Sequence, residues 1–364
     1  EDAAGALLYS VTSVTGGFFA RVASPTVAIT SFTQQEVIDG AIQFVHNGGE
    51  AAPTYTLTLT DSEDLASAPS AANIAFSNIN DAPVLDTNIP ITVVATEDAP
   101  PPVGAVGFTS FSLVSFAGSG SGAQNTTDPD AGALSGVALT GANTTGGNWW
   151  YSLDGGNNWA QLPAGLSDTN ALLMANDGLS RLYFQSTVAN ASGITPAALT
   201  FKAWDQTTGS DGQTGVDTTS GTAFSASSHS ATLDLQAVND APTVSANTLA
   251  ISEGTTVVLG TANLASSDVE SPASGLTYTV TAVSGGRFAW VSAPGAAINS
   301  FTQDDIDANR VQFEHDGKEA APAYTLTLSD GTATTAPFAG NVTFATVNDR
   351  PVLTATGNAT LSLN

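Results

Sequence analysis

Tyr55-Thr56-Leu57-Thr58-Leu59-Thr60-Asp61 alternates apolar side chains with hydroxyls and stops at an acid. Successive side chains of a strand point to opposite faces, so this pattern predicts a strand with one buried and one wet face. The pattern returns as Tyr324-Thr325-Leu326-Thr327-Leu328-Ser329-Asp330, an offset of 324 − 55 = 269. Working outward, Tyr9 to Asp61 matches Tyr278 to Asp330 at 30 of 53 positions. Shared landmarks are Gly16-Gly17 with Gly285-Gly286, Phe32-Thr33-Gln34 with Phe301-Thr302-Gln303, and His46 with His315. Self-similarity on this scale means repeated modules.

A second landmark occurs three times, as Asn80-Asp81-Ala82-Pro83, Asn239-Asp240-Ala241-Pro242 and Asn348-Asp349-Arg350-Pro351. Proline stiffens the chain and keeps the residue before it out of helix, so each copy reads as a linker. The expected modules are 1–83, lacking its first strands, then 84–242, then a complete repeat over 243–351. Residues 352–364 read as the opening strand of a further repeat, so the chain is expected to be a window from a longer array. Leu199, Phe201 and Ala203 alternate with Thr200, Lys202 and Trp204, and turn residues break such runs throughout. That predicts an all-β chain of packed antiparallel sandwiches. Thr33 and Glu36 have the spacing of a capping box, and Thr302 with Asp305 repeats it, so one helical turn is expected in each copy.

Composition narrows the function. Seven Lys plus Arg against 33 Asp plus Glu give a net charge of −26, which argues against nucleic acid and anionic membrane. There is no cysteine, hence no disulfide and no thiolate chemistry. No apolar run approaches the roughly 20 residues of a membrane-spanning helix. No Ser, His and Asp set and no phosphate loop stands out, and 33 acids offer too many carboxylate pairs to select a catalytic one. An enzyme is therefore not expected.

An Asn-Asp pair before a fixed proline, between β-sandwiches, resembles the calcium-binding linker of cadherins and of cadherin-like bacterial repeats. The first and third modules also resemble the repeats of chondroitin sulfate proteoglycan core proteins, through the Gly-Gly turn, the Phe-Thr-Gln segment, the His-turn and the Tyr-Thr-Leu-Thr-Leu strand. The resemblance implies a tandem array of Ig/cadherin-like antiparallel sandwiches. It also implies Ca2+, which takes six to eight oxygen ligands. Carried over residue by residue, the first linker would offer Asn80 and Asp81 with Asp128, Asp130 and the later Asp205, and Asp61 as an added ligand. The second would offer Asn239 and Asp240 with Glu97, Asp268, Glu270 and the later Asp330. The third would offer Asn348 and Asp349 with Glu253. The linker is shorter than the cadherin motif, and Glu270 stands where an Asp is usual, which implies fewer ions or weaker binding. The resemblance further implies an extracellular, secreted bacterial surface or adhesin protein. It would serve surface attachment, biofilm matrix or filament formation, with neighbouring repeats, fibre self-association and surface glycans as partners.

The middle module differs. Ser152-x-Asp154-x-Gly156-x-x-Trp159 has the spacing of an Asp-box, whose known role is to tie a hairpin. Trp149, Trp150, Trp159 and Trp204 supply the alternative reading, a carbohydrate-binding module, if they form an exposed stripe. Lys202 is expected to pair with a carboxylate, and His229 to be solvated in a Ser-rich loop.

Overall fold

The computed structural model describes residues 2–350. Strands dominate, and the described residues fall into two compact units, up to Gln236 and from Ala237. Two short α-helices, Gln34–Ile38 and Gln303–Asp307, occupy the predicted positions. Each carries a full capping box. The Thr33 hydroxyl accepts from the Glu36 N–H while the Glu36 carboxylate accepts from the Thr33 N–H, and Asp305 closes the same box with Thr302.

In the first unit, strands between residues 8 and 71 form two sheets. One runs Ser31–Thr33, Leu8–Thr15, Thr54–Thr60, Ser70–Ala71; the other runs Ser24–Ile29, Gly17–Arg21, Ile42–His46. Past the first Asn-Asp-x-Pro, a five-stranded sheet orders Leu172–Ala175, Gly136–Ala142, Gly193–Trp204, His229–Gln236 and Ile91–Thr96. It faces a four-stranded sheet of Phe108–Thr109, Arg181–Ser186, Gly147–Ser152 and Ala160–Gln161. Val137, Leu139, Trp149, Leu172, Leu182, Phe201 and Leu233 fill the space between. No sheet among the described residues crosses an Asn-Asp-x-Pro linker.

The second unit repeats the plan of residues 8–71 with more strands. Thr243–Ser252 pairs antiparallel with Leu264–Ser267 through its first half and parallel with Asn341–Ala345 through its second. Thr256–Val258 adds an edge to the sheet of Val311–His315, Gly286–Trp290 and Ala293–Ala297. Thr277–Ser284 and Ala323–Ser329, the second copy of the opening motif, pair antiparallel in the remaining sheet. Leu249, Ile251, Tyr278, Phe288, Phe313, Leu326 and Leu328 close one core.

The Gly-Gly landmark has a steric cause. Gly285 has φ +66°, and a Cβ there would lie 2.8 Å from the Pro322 Cα. A Cβ on Gly286 would lie 2.5 Å from the Glu314 carbonyl oxygen. Gly16 and Gly17 meet Pro53 and Val45 in the same way. Only glycine fits either position.

Two sequence expectations change here. His229 is not in a solvated loop. It opens the strand His229–Gln236, is half-buried, and its Nε2 meets the Ile89 carbonyl at 2.8 Å. Strand pairing on both sides takes it out of water. Lys202 is buried, and its Nζ donates to the Thr218 carbonyl at 3.0 Å rather than to a carboxylate. The opening strand expected over 352–364 lies outside the described residues.

Candidate metal centre at the linkers

The first linker gathers acids from three places in the chain. The Asp81 N–H donates to Asp130 Oδ2 at 2.8 Å, and the Asp130 N–H donates to Asp128 Oδ1 at 2.9 Å. The Asn80 amide donates to Asp205 Oδ2 at 2.7 Å and to the Thr222 carbonyl at 3.0 Å. Asp205 Oδ1 is held by the Thr207 N–H and hydroxyl. These bonds orient one oxygen of each carboxylate and leave the others facing the same space. Asp128 Oδ2 is buried with no hydrogen-bond partner.

The electrostatics agree with that crowding. Desolvation raises the Asp128 pKa, and although the Asp130 N–H opposes this, the charges of Asp130, Asp205 and Asp81 add to it. Glu50 joins the group. Its carboxylate accepts from the Asn78 amide, which favours the charged form, yet desolvation and the neighbouring Asp130 and Asp81 push it up. The Asn78 amide also donates to Asp130 Oδ1 at 2.6 Å.

The second linker repeats the arrangement within the second unit. The Asp240 N–H donates to Glu270 Oε2 at 3.2 Å, and the Glu270 N–H donates to Asp268 Oδ1 at 3.1 Å. The Asn239 amide donates to Asp330 Oδ2 at 2.9 Å. That bond, with the Ala333 and Thr332 N–H groups, holds the Asp330 carboxyl below its usual range. Asp268 Oδ2 is buried without a partner, as Asp128 Oδ2 is. Glu270 therefore fills the position of Asp130, one methylene longer. Glu97, expected at this linker, lies buried in the first unit with its N–H on the Gln236 carbonyl.

At the third linker, Glu253 is buried and its Oε2 accepts from the Val347 N–H at 3.0 Å. Carboxylate oxygens of Glu253, Glu319 and Asp349 lie within 4.8 Å of one another. The Asn348 amide folds back on the Asp349 carbonyl at 3.4 Å.

Two residues differ from expectation. Asp61 does not join the first linker. It corresponds to Asp330, and it accepts the Glu63 and Leu65 N–H groups in its own turn while neighbouring Ser62 bonds Asp2. The strand Thr54–Thr60 delivers it to the end of the module away from Asn80. Glu50 and Glu319 were missed. They share the offset 319 − 50 = 269 and the words Glu50-Ala-Ala-Pro and Glu319-Ala-Ala-Pro, which is the signal that would have found them.

The tryptophans do not form an exposed stripe. Trp149 and Trp204 are each 2 % exposed, and Trp150 and Trp159 are half-buried. The Asp-box ties its hairpin: the Ser152 hydroxyl donates to Asp154 Oδ1 at 2.8 Å, and Trp159 Nε1 donates to the Gly104 carbonyl at 3.1 Å. The Asn158 N–H and amide, with Ser152, lower the Asp154 pKa to about 2. His315 accepts the Gly254 and Gly317 N–H groups on Nδ1 and stacks on Phe344, an architectural role.

A family model described as Cadherin-like matches residues 1–74 and 242–344. Human chondroitin sulfate proteoglycan 4 is 33% identical over 134 residues, which is 36% of this chain and 6% of that protein. The chain thus spans a small fraction of this relative's length. Among solved structures, the human Desmocollin-1 ectodomain aligns over 95% of this chain and 55% of its own, with TM-score 0.32 and 10% identity. Titin domains I67–I69 align over 93% of this chain and 87% of theirs, with TM-score 0.29 and 10% identity. The two matched stretches are cadherin-like repeats.

Proposed function

We propose that this chain is part of a modular extracellular adhesion-type protein whose linkers bind Ca2+ and stiffen the array. One observation carries the reading. Two linkers present the same constellation, and in each a buried carboxylate oxygen, Asp128 Oδ2 or Asp268 Oδ2, points into the acidic group with no donor to meet it. A buried oxygen anion without a partner is costly, and a divalent cation removes the cost. The donor set is all oxygen, which suits Ca2+ and not a soft metal.

Asn80, Asp81, Asp128, Asp130, Asp205 and Glu50 would hold the ion at the first linker. Asn239, Asp240, Asp268, Glu270 and Asp330 would serve the second, with Glu97 as the ligand from the preceding module. Asn348, Asp349, Glu253 and Glu319 would serve the third. The ion would supply charge neutralisation, and the chain's own bonds fix which oxygens face it. Each module, with the boundaries 1–83, 84–242 and 243–351, would then act as a rigid bead on a stiff rod suited to surface attachment or a matrix. A secreted bacterial setting, with biofilm cohesion as the role, fits the same chemistry.

Thermal melting and small-angle scattering, with calcium and with chelator, test this. Calcium should raise the melting temperature and lengthen the particle, and Asp128→Asn should blunt both effects. Identical melting and identical scattering in the two conditions would reject the proposal.

A further inference from the structure

The first and third modules share a sequence but not a closed core. In the third, every residue of Val311–His315 is buried. In the first, every residue of the matching Ile42–His46 is only half-buried. Tyr278, Leu326 and Leu328 are fully buried, while Tyr9, Leu57 and Leu59 are not. The cause is visible in the third module. There Thr243–Ser252 lies parallel to Asn341–Ala345 and sets Leu249 and Ile251 into the core. The first module has the acceptor, Asn73-Ile74-Ala75-Phe76-Ser77, matching Asn341-Val342-Thr343-Phe344-Ala345. It has no strand beside it, and these five residues are outside any ladder.

A second observation is independent of area. His315 accepts the Gly254 N–H, which follows directly on Thr243–Ser252. His46 stacks on Phe76 as His315 stacks on Phe344, but its Nε2 is buried with no partner. In the third module Gln303 receives the Ser266 N–H and hydroxyl, while in the first Gln34 receives the Tyr9 hydroxyl and no strand stands in the place of Ser266. The face therefore lacks a strand in hydrogen bonding as well as in packing.

The chain contains a segment with the required pattern. Thr360-Leu361-Ser362-Leu363 follows the third Asn-Asp-x-Pro as Thr248-Leu249-Ala250-Ile251 follows the second. We propose that the open face of the first module is a strand acceptor, and that its occupant is the segment Val352–Asn364 of a second copy of this chain. The register follows from the third module. Leu249 pairs with Val342 and Ile251 with Phe344, so Leu361 sits opposite Ile74 and Leu363 opposite Phe76. The donated strand completes the sheet through main-chain bonds and fills the core through alternate side chains, which is the logic of strand addition. It also covers an edge that is otherwise a liability. Donor and acceptor lie on different modules, so the contact is head-to-tail and propagates into an open chain of copies.

The proposal does not depend on the cation reading, so the test runs in calcium and in chelator. Sedimentation or light scattering of the full chain over a wide concentration range should show growing head-to-tail oligomers. Leu361→Asp with Leu363→Asp should weaken the self-association about a hundredfold, because two burials are lost. Ile74→Asp, on the acceptor side, should do the same. A synthetic peptide of residues 352–364 should dissolve the oligomers. A chain that stays monomeric throughout overturns the proposal. So does self-association that survives the Leu361 and Leu363 changes.

Discussion

At the residue scale, the decisive features are atoms with imposed geometry. Gly285 carries a positive φ against Pro322, so Gly285→Ala should lower stability by about 1–3 kcal/mol, read from denaturant midpoints. Gly40, with φ +64° and nothing within 4 Å of a Cβ, should lose less under the same change. The Asp154 carboxyl, lowered to about 2 by Asn158 and Ser152, contributes stability that is present above its unfolded value and lost as pH falls through 2. Asp154→Asn should flatten the acid limb of the melting curve in that window. The linker ligands were legible residue by residue because Asn80-Asp81 and Asn239-Asp240 are contiguous and recur. Glu50 and Asp61 were not, because a loop acid's value depends on which end of a module its strand delivers it to. Sequence gives the spacing of Asp61 from Asn80 but not that direction.

At the element scale, the strands and the two helical turns could be read directly. Period two in Tyr55 to Thr60 and the capping spacing of Thr33 with Glu36 are local rules, and local rules survive folding. His229 and Lys202 were misread because their surroundings come from distant strands, Ile91–Thr96 in one case and the Thr218 loop in the other. The contrast between duplicate elements makes a paired prediction. Phe313→Ala, in a closed core, should cost about 3–5 kcal/mol. Phe44→Ala, half-buried at the matching position, should cost about 1–2 kcal/mol. Chemical denaturation followed at the two modules separates them. Equal losses would mean that the first core is as closed as the third.

At the scale of the whole molecule, the net charge of −26 first served only to exclude nucleic acid. The raised pKa values of Glu50 and Asp128 turn part of it into a measurable linkage. Both groups hold protons more tightly folded than unfolded. Without a cation, stability should therefore fall as pH rises from the ordinary carboxylate range through their raised folded values. Calcium displaces those protons, so its stabilising effect should grow over the same rise. Melting temperatures in chelator and in calcium, from about pH 4 to about pH 7, check both slopes. A calcium effect independent of pH would count against carboxylate ligands. One feature of the sheets has a mechanical meaning. Ile91–Thr96 runs parallel to His229–Gln236, and Thr243–Ser252 to Asn341–Ala345, so the chain enters and leaves each of these sandwiches at opposite ends. A pull on those two ends draws the paired strands past each other and loads every rung at once, rather than peeling one rung at a time. Residues 8–77, which lack such a pair, should be the first to give way under tension.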